Sequence, residues 1–168
     1  HMTALLEDVI MAGRTGLNKI PVVKTDINLA RFVERMAEEV ENSTKNTHKI
    51  KLNNSAKLEK LNTDEKLLRN VFINLLTNAI KFSPDKKYVE LQVREEFNQL
   101  VIEVIDEGIG ISDKDQPRLF EAFYRASNAS SINGTGLGLS IVKKAVEVLG
   151  GEIDLQSKVN EGTRVKVI

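Results

Sequence analysis

The sequence predicts an α+β fold, a two-layer α/β sandwich with a mixed sheet and helices packed on one face. Apolar residues recur at helical spacing in three stretches, and apolar and polar residues alternate in two later pairs of segments. Helices that precede and follow such strands fit one sheet covered on a single side. The helical stretches are 29–40, 64–82 and 137–149, and the alternating ones are 88–94, 100–105, 152–156 and 163–168.

Composition limits the class of protein. The chain has 168 residues, 24 Lys and Arg against 24 Asp and Glu, and no cysteine. This length suits one domain, and zero net charge gives no overall attraction to nucleic acid or anionic lipid. Lack of cysteine excludes disulfides and thiolate sites, and no apolar run reaches the roughly 18 residues of a membrane span. We expect a cytoplasmic domain with no nucleic-acid or membrane contact.

The beginning of the chain differs from the rest. His1-Met2 is typical of a cloning remnant, so we exclude His1 from any chemistry. Residues 3–17 carry a short apolar stripe, typical of the end of a longer helix. A Pro-containing link leads to the amphipathic helix of residues 29–40. Alternation over 48–52 then predicts a strand, with 57–61 as its partner and His48 on the surface.

Three polar residues lie on the most apolar helix, which begins after Asp64 as N-cap. Asn74 and Asn78 are four residues apart and Lys81 is one turn further, so all three share one edge. Buried asparagines often bond neighbouring backbone. Alternatively, their amide oxygens hold a hydrated Mg²⁺ while Lys81 meets a phosphate. The spacing permits both interpretations.

A glycine-rich turn, residues 134–140, opens the third helix. Free N–H groups at a helix N-terminus favour an anion, and glycines let a phosphate approach the backbone. An ordinary turn into a helix explains the same pattern. The two common nucleotide motifs are excluded, because a Rossmann fingerprint needs glycine at Leu139 and a P-loop needs Gly-Lys-Ser/Thr, which is absent.

Asp106 follows an apolar strand and precedes Gly108 and Gly110. Its carboxylate could accept the exocyclic amine of a purine, or it could bond its own turn backbone. Both readings stay open on this motif alone.

An aromatic group comes next, near a short helix predicted over 116–123. Phe120, Phe123 and Tyr124 are expected to cluster, either as core or as the anchor of a mobile lid, with Arg125 facing phosphate. We name residues 127–133 the lid loop. It is polar, so we expect it to be mobile without ligand and ordered by phosphate.

Four segments, taken in order, closely resemble the asparagine, first glycine, phenylalanine and second glycine boxes of sensor histidine kinases. These are residues 74–82 (NLLTNAIKF), 106–111 (DEGIGI), 120–125 (FEAFYR) and 134–139 (GTGLGL). The resemblance covers about 26–168 and implies the family's Bergerat-type fold, with ATP and Mg²⁺ bound between helices and lid. Four matches in order are far more specific than any single one.

The resemblance also implies roles for individual residues. Asn74 and Asn78 would bind Mg²⁺ and phosphates, and Asn74, Lys81 and Arg125 would be catalytic at the terminal phosphate. Further nucleotide contacts would come from Lys81, Phe82, Asp106, Gly108, Gly110, Ile111, Gly134, Thr135, Gly136, Leu137, Gly138, Leu139 and Thr163, with Asp106 at the adenine amine.

The implied activity is transfer of the ATP γ-phosphate to a histidine on a separate helical hairpin, from which a response regulator takes it. Related gyrase-, Hsp90- and MutL-like ATPases resemble these boxes but place a glutamate base where this chain has Asn74. The alternatives are a regulatory module that binds nucleotide without transfer, and an ATPase or serine kinase of the same fold class.

The resemblance suggests a division of the chain. Residues 1–19 would combine the cloning remnant with the end of the dimerisation hairpin, and residues 20–168 would form the catalytic domain. Neither His1 nor His48 has the surroundings of a phosphoacceptor, so we expect no autophosphorylation by this chain alone. We also expect it to be monomeric, and a full-length kinase to be a homodimer with scope for a membrane anchor.

Overall fold

The computed structural model describes residues 21–45 and 47–168. The helix expected within residues 3–17, and with it the division at residue 19, lies outside them. Two short 3-10 helices span Gln116–Arg118 and Ser127–Ala129. The elements are β1 (Thr25–Asn28), α1 (Leu29–Ser43), β2 (Lys49–Asn54), β3 (Lys60–Thr63), α2 (Glu65–Lys81), β4 (Tyr88–Glu96), β5 (Gln99–Asp106), α3 (Gly138–Leu149), β6 (Ile153–Lys158) and β7 (Gly162–Val167).

The main sheet has five strands in the order β2-β4-β5-β7-β6. β2 pairs with β4 in parallel, and the other neighbours are antiparallel, so the sheet is mixed. β1 and β3 form a separate antiparallel pair. Apolar residues of all three helices join those of one sheet face in a single core. The predicted α+β sandwich is therefore confirmed.

Side-chain caps fix where the first two helices begin. The Asn28 side chain accepts a hydrogen bond from the Arg31 N–H (2.9 Å) at the start of α1. Asp64 accepts from the N–H groups of Lys66 and Leu67 (3.0 and 3.1 Å) at the start of α2, as predicted. Such caps satisfy N–H groups that have no partner within the helix. None of the helices in the described part of the chain is long and apolar enough to span a bilayer.

The apolar pattern of α2 places it at the centre of the core. Its buried residues cover most of its circumference, and Phe72 meets Phe32 of α1 edge to face, with ring centroids 5.5 Å apart. α3 packs along α2 through its own apolar side. The polar edge of α2 is therefore held in a fixed position between two packed helices.

The strand pairing differs from the prediction. β2 does not pair with residues 57–61. Its partner is β4, from Lys49 opposite Tyr88 to Asn54 opposite Val93. β3 instead pairs with β1, whose residues we had interpreted as a link. Alternation indicates which face of a strand is buried, but the partner of a strand depends on packing of distant segments.

The helix predicted over 116–123 is reduced to the 3-10 turn Gln116–Arg118, so that prediction was wrong in extent. Phe123 adopts a left-handed backbone conformation (φ 65°), which a helix does not permit. Its N–H donates to the Gly136 carbonyl (3.0 Å) and not to a preceding turn. A contact distant in sequence thus replaces the local helix.

His48 is buried, with 5% of its surface exposed, so its assignment to the surface was also wrong. The ring Nε2 lies 2.8 Å from the Ser83 carbonyl oxygen, and Nδ1 lies 3.1 Å from Thr47 Oγ1. Ser83 directly follows the C-cap of α2. The imidazole therefore connects β2 to the end of the helix that carries the polar edge.

Replacement of His48 tests this link. His48→Ala should lower the free energy of unfolding by about 1–3 kcal/mol, because it removes a buried donor and leaves a gap. His48→Gln, which keeps a donor, should lose less. Urea denaturation of both variants measures this, and changes below about 0.5 kcal/mol in both would indicate a surface residue instead.

Candidate functional site

A cavity of about 320 Å³ opens between α2, the start of α3 and the loops that join β5 to α3. Most of the residues expected to bind nucleotide line it. These are Asn74, Asn78, Lys81, Phe82, Gly110, Ile111, Arg125, Gly134, Thr135, Gly136, Gly138, Leu139 and Thr163. The four boxes, which are far apart in sequence, therefore meet in one place.

The two asparagines of α2 face the first residue of α3. The Asn74 side-chain amide donates to the Asn70 carbonyl (2.9 Å), which leaves its oxygen free to accept or to ligate. A Cβ added to Gly138 would lie 3.2 Å from Asn74 Oδ1 and 3.1 Å from Asn78 Nδ2. Glycine at this position therefore lets the N-terminus of α3 approach both amides closely.

Two cations at this end of the cavity lack carboxylate partners. Within residues 21–45 and 47–168, neither Lys81 nor Arg125 forms an ion pair with Asp or Glu. Burial lowers the pKa of Lys81, and the charge of Arg125 lowers it further. The Arg125 guanidinium donates to the carbonyls of Ala129 (2.7 Å), Ser130 (3.2 Å) and Ile132 (2.5 Å). An anion placed between the two cations would compensate both charges.

Asp106 marks the opposite end. It lines a smaller space of about 50 Å³ that shares Asn78, Phe82 and other wall residues with the main cavity. Burial raises the pKa of Asp106, and the N–H groups of Gly108 and Thr163 oppose that rise. Gly108 donates to Asp106 Oδ1 at 2.9 Å. The Ser83 hydroxyl also opposes the rise. The carboxylate is thus desolvated, and it has room to accept one further donor from the cavity.

Gly136 connects two boxes. Its φ is 75°, and a Cβ there would lie 2.7 Å from the backbone of Phe123 and Tyr124. The glycine is therefore required by close contact with the phenylalanine box, in addition to any approach of phosphate.

Two of the residues expected to contact nucleotide, Gly108 and Leu137, line neither the main cavity nor the smaller space. Leu137 is buried, and Gly108 lies against the Phe82 carbonyl.

The expected aromatic cluster does not form. Phe123 is 66% exposed, the Lys143 ammonium lies 5.6 Å from the Phe120 ring centroid, and the Tyr124 hydroxyl donates to Asp115 Oδ1 (2.6 Å). The three side chains therefore have different surroundings. Tyr124 alone of the three lines the cavity.

Sequence reasoning missed part of the wall. Leu119, Ala126 and Ala129 form a small second core, so the region of the lid loop buries apolar surface after all. The Asn128 side chain donates to the Gly110 carbonyl (2.8 Å). Thr77, three residues after Asn74, could have been found from helical spacing, whereas the small apolar residues carry no such signal. The missed wall residues are Thr77, Ile109, Leu119, Tyr124, Ala126, Asn128 and Ala129.

The sequence profile of one family, described as histidine kinase-, DNA gyrase B-, and HSP90-like ATPase, matches residues 63–168. The match covers more than half of the chain and includes the whole cavity wall. The chain belongs to this family. As a family member it carries the ATP-binding fold, and the resemblance inferred from the four boxes is confirmed.

Two proteins of similar sequence are a sensor protein and a signal transduction histidine-protein kinase. The sensor protein KdpD of Clostridium acetobutylicum is 39% identical over 150 residues, which cover 86% of this chain and 16% of KdpD. The signal transduction histidine-protein kinase ArlS of Staphylococcus aureus (strain USA300) is 40% identical over 100 residues, 58% of this chain and 22% of ArlS. The chain thus spans less than a quarter of either relative.

Solved structures agree in fold. Full-length ShkA in complex with AMPPNP superimposes with a TM-score of 0.84 at 25% identity, over 99% of this chain and 35% of ShkA. The nucleotide-free catalytic domain of histidine kinase ThkA gives 0.69 at 23% identity, over 86% of this chain and 93% of that domain. The second comparison supports the fold alone.

Substitution of Asp106 should weaken binding of an ATP analogue without lowering the stability of the folded domain. Because burial raises its pKa, the folded state binds this proton more tightly than the unfolded state, and stability falls as pH rises through the raised pKa. Asp106→Asn removes that loss, so its free energy of unfolding at pH 7 should equal or exceed that of wild type. Binding of an ATP analogue should weaken at least about tenfold, since an amide cannot offer a second acceptor.

Calorimetric titration and urea unfolding at pH 7 measure these two effects. Glu107→Gln is the matched control, because Glu107 is exposed and pairs with Lys86 at the surface. Equal affinity of Asp106→Asn and wild type would remove Asp106 from the base-binding role.

Proposed function

We propose that this domain binds ATP with Mg²⁺ and positions the γ-phosphate for transfer to a histidine on a separate helical hairpin of a sensor kinase. The observation that carries the proposal is the pair of uncompensated cations, Lys81 and Arg125, beside two asparagine amides at a helix N-terminus. Such a site suits a polyphosphate. A phosphoacceptor hairpin and a response regulator are the partners that follow from this activity.

The phosphate end is built from fixed charges and dipoles. α3 begins at Gly138 and has 12 residues, so its N-terminal N–H groups and dipole point toward the amides of α2. Lys81 and Arg125 add two full charges to the same region. We assign the catalytic role to Asn74, Lys81 and Arg125, because charge stabilisation and positioning are the main requirements of phosphoryl transfer.

The donor set fits Mg²⁺. The ion takes oxygen ligands and keeps several waters, and Asn74 Oδ1 is not used by another hydrogen bond within the described residues. The Asn78 amide likewise has no partner among them. These two side chains would hold the ion, which when bound would neutralise part of the phosphate charge.

Among the residues that the structure describes, none that lines the main cavity is Asp, Glu or His, and the Asp106 carboxylate borders the smaller space at the other end. These lining residues therefore offer no general base to a water near the phosphates, which favours transfer to a protein side chain over release of free phosphate. The names of the relatives favour the same reading over an ATPase or a serine kinase.

The base end would be formed by Asp106 with Phe82, Gly110, Ile111 and Thr163. A buried acceptor in an apolar pocket suits the exocyclic amine of adenine, since a guanine would present an oxygen there. Gly134, Thr135, Gly136 and Leu139 complete the wall on the side of α3. We further propose a cytoplasmic location and a monomeric state for this chain.

Calorimetric titration with a non-hydrolysable ATP analogue, with and without Mg²⁺, tests the proposal. Saturable binding that Mg²⁺ strengthens is expected. Absence of binding in both conditions would contradict it. Transfer is then tested by adding the matching helical hairpin: phosphate should appear on the hairpin histidine and not on this chain alone.

Substitution of Asn78 gives the most direct test of the proposed Mg²⁺ site. Asn78→Ala should weaken binding of the Mg²⁺-bound analogue at least about tenfold and reduce the effect of Mg²⁺, because an amide ligand is lost while alanine preserves the helix. Calorimetry with and without Mg²⁺ measures both effects.

Asn42→Ala is the matched control, since Asn42 is exposed on α1 and lines neither the main cavity nor the smaller space. If Asn78→Ala binds like wild type and responds equally to Mg²⁺, Asn78 has no part in the metal site.

A further inference from the structure

Asp115 is a buried carboxylate that none of the four boxes contains. Only 7% of its surface is exposed. Oδ1 accepts from the Tyr124 hydroxyl (2.6 Å), and Oδ2 accepts from the Ser127 N–H (3.1 Å), the Ser127 hydroxyl (2.9 Å) and the Ser112 hydroxyl (2.9 Å). Four donors thus converge on one side chain.

Three of the four hydrogen bonds come from Tyr124 and Ser127, which lie on either side of the segment that enters the lid loop. Tyr124 and Ser127 enclose Arg125 and Ala126, both of which line the cavity. With its two ends fixed on one carboxylate, this short stretch has little freedom to rotate. Asp115 itself does not line the cavity, so it acts on the wall only through these neighbours.

From this stretch the constraint extends through the lid loop. Arg125 donates to three carbonyls of residues 129–132, and Ala126 and Ala129 pack on Leu119 in the second core. Asn128 joins the loop to Gly110. A fixed Arg125 therefore fixes the path of the loop, and the loop in turn holds the guanidinium beside Lys81.

The charge of Asp115 is held by hydrogen bonds. Tyr124, with Ser112 and Ser127, keeps the pKa of Asp115 well below its usual range. No Lys or Arg within the described ranges comes close enough to form an ion pair with it. Arg118 stacks instead over the Tyr124 ring, 4.3 Å from the centroid. Charge-assisted hydrogen bonds are strong and directional, so they suit the positioning of a backbone segment.

We propose that Asp115 is a positioning residue that fixes residues 124–133 over the cavity and sets Arg125 at the phosphate end. This inference rests on the proposed function for the effect on nucleotide binding, but its effect on the lid loop is independent of it. Loss of the Asp115 carboxylate should make the lid loop more mobile. The Arg125 guanidinium would then no longer be held at the phosphate end.

The test compares Asp115→Asn and Tyr124→Phe with wild type and with Asp113→Asn. The control makes the same chemical change two residues away, at an exposed carboxylate whose contact is with the Gln116 side chain (3.3 Å). Amide hydrogen exchange of residues 127–133 is measured without nucleotide, and exchange in β5 reports global stability. Titrations with a Mg²⁺-bound ATP analogue and with adenosine follow.

Asp115→Asn should accelerate exchange in the lid loop at least about tenfold while exchange in β5 changes little, since charge-assisted bonds are lost locally. Affinity for the ATP analogue should fall about tenfold, and affinity for adenosine should be preserved. Tyr124→Phe should reproduce part of both effects. The affinity loss of the double variant Asp115→Asn/Tyr124→Phe should be smaller than the sum of the two single losses, because both residues take part in the same hydrogen bond.

Unchanged exchange in the lid loop of Asp115→Asn would overturn the inference. Equal acceleration in the lid loop and in β5 would also overturn it, because that result indicates general destabilisation. If wild type binds no ATP analogue, the proposed function fails, while the exchange comparison still decides the role of Asp115.

Discussion

The close approach of α3 to α2 is the contact on which the site depends. α2 is buried along a broad apolar face, and its polar edge at Asn74 and Asn78 needs either hydrogen-bond partners or a ligand. At Gly138 the lack of a side chain brings the N-terminus of α3 within contact of the Asn74 and Asn78 amides. A side chain at this position would press on both asparagine amides, which would have to shift away from the N-terminus of α3.

The polar edge of α2 also carries part of the excess positive charge of the site. Lys81 follows Asn78 at the C-terminal end of α2, and Arg125 approaches it from the segment that enters the lid loop. Two neighbouring cations without carboxylates repel each other, and burial of Lys81 adds a desolvation cost. A folded domain retains such an arrangement at some expense in stability, and a bound polyphosphate would remove the repulsion. The same two cations therefore account both for the repulsion within the folded domain and for the proposed binding of a polyphosphate.

Sequence patterns predicted those parts of the fold that depend on local periodicity. The apolar faces of α1 and α2 and the hairpin of β4 and β5 follow from spacing, and Asp64 caps its helix as expected. The partner of β2, the burial of His48 and the left-handed Phe123 were not predictable in this way, because each depends on a contact with a distant segment. In the site, polar residues of the boxes were found from type and spacing, whereas Ala126 and Ala129 have no chemical signature of a cavity wall.

Two buried aspartates illustrate how surroundings separate structural from binding roles. Asp115 receives four hydrogen bonds from donors of its own chain, and its pKa is depressed. Asp106 lies at the edge of a cavity, where burial raises its pKa although the N–H groups of Gly108 and Thr163 and the Ser83 hydroxyl oppose that rise. A carboxylate that several donors of its own chain keep charged serves to hold that chain in place. A desolvated carboxylate at the edge of a cavity favours a ligand that brings a further donor, which is the property expected of the base-binding end of this site.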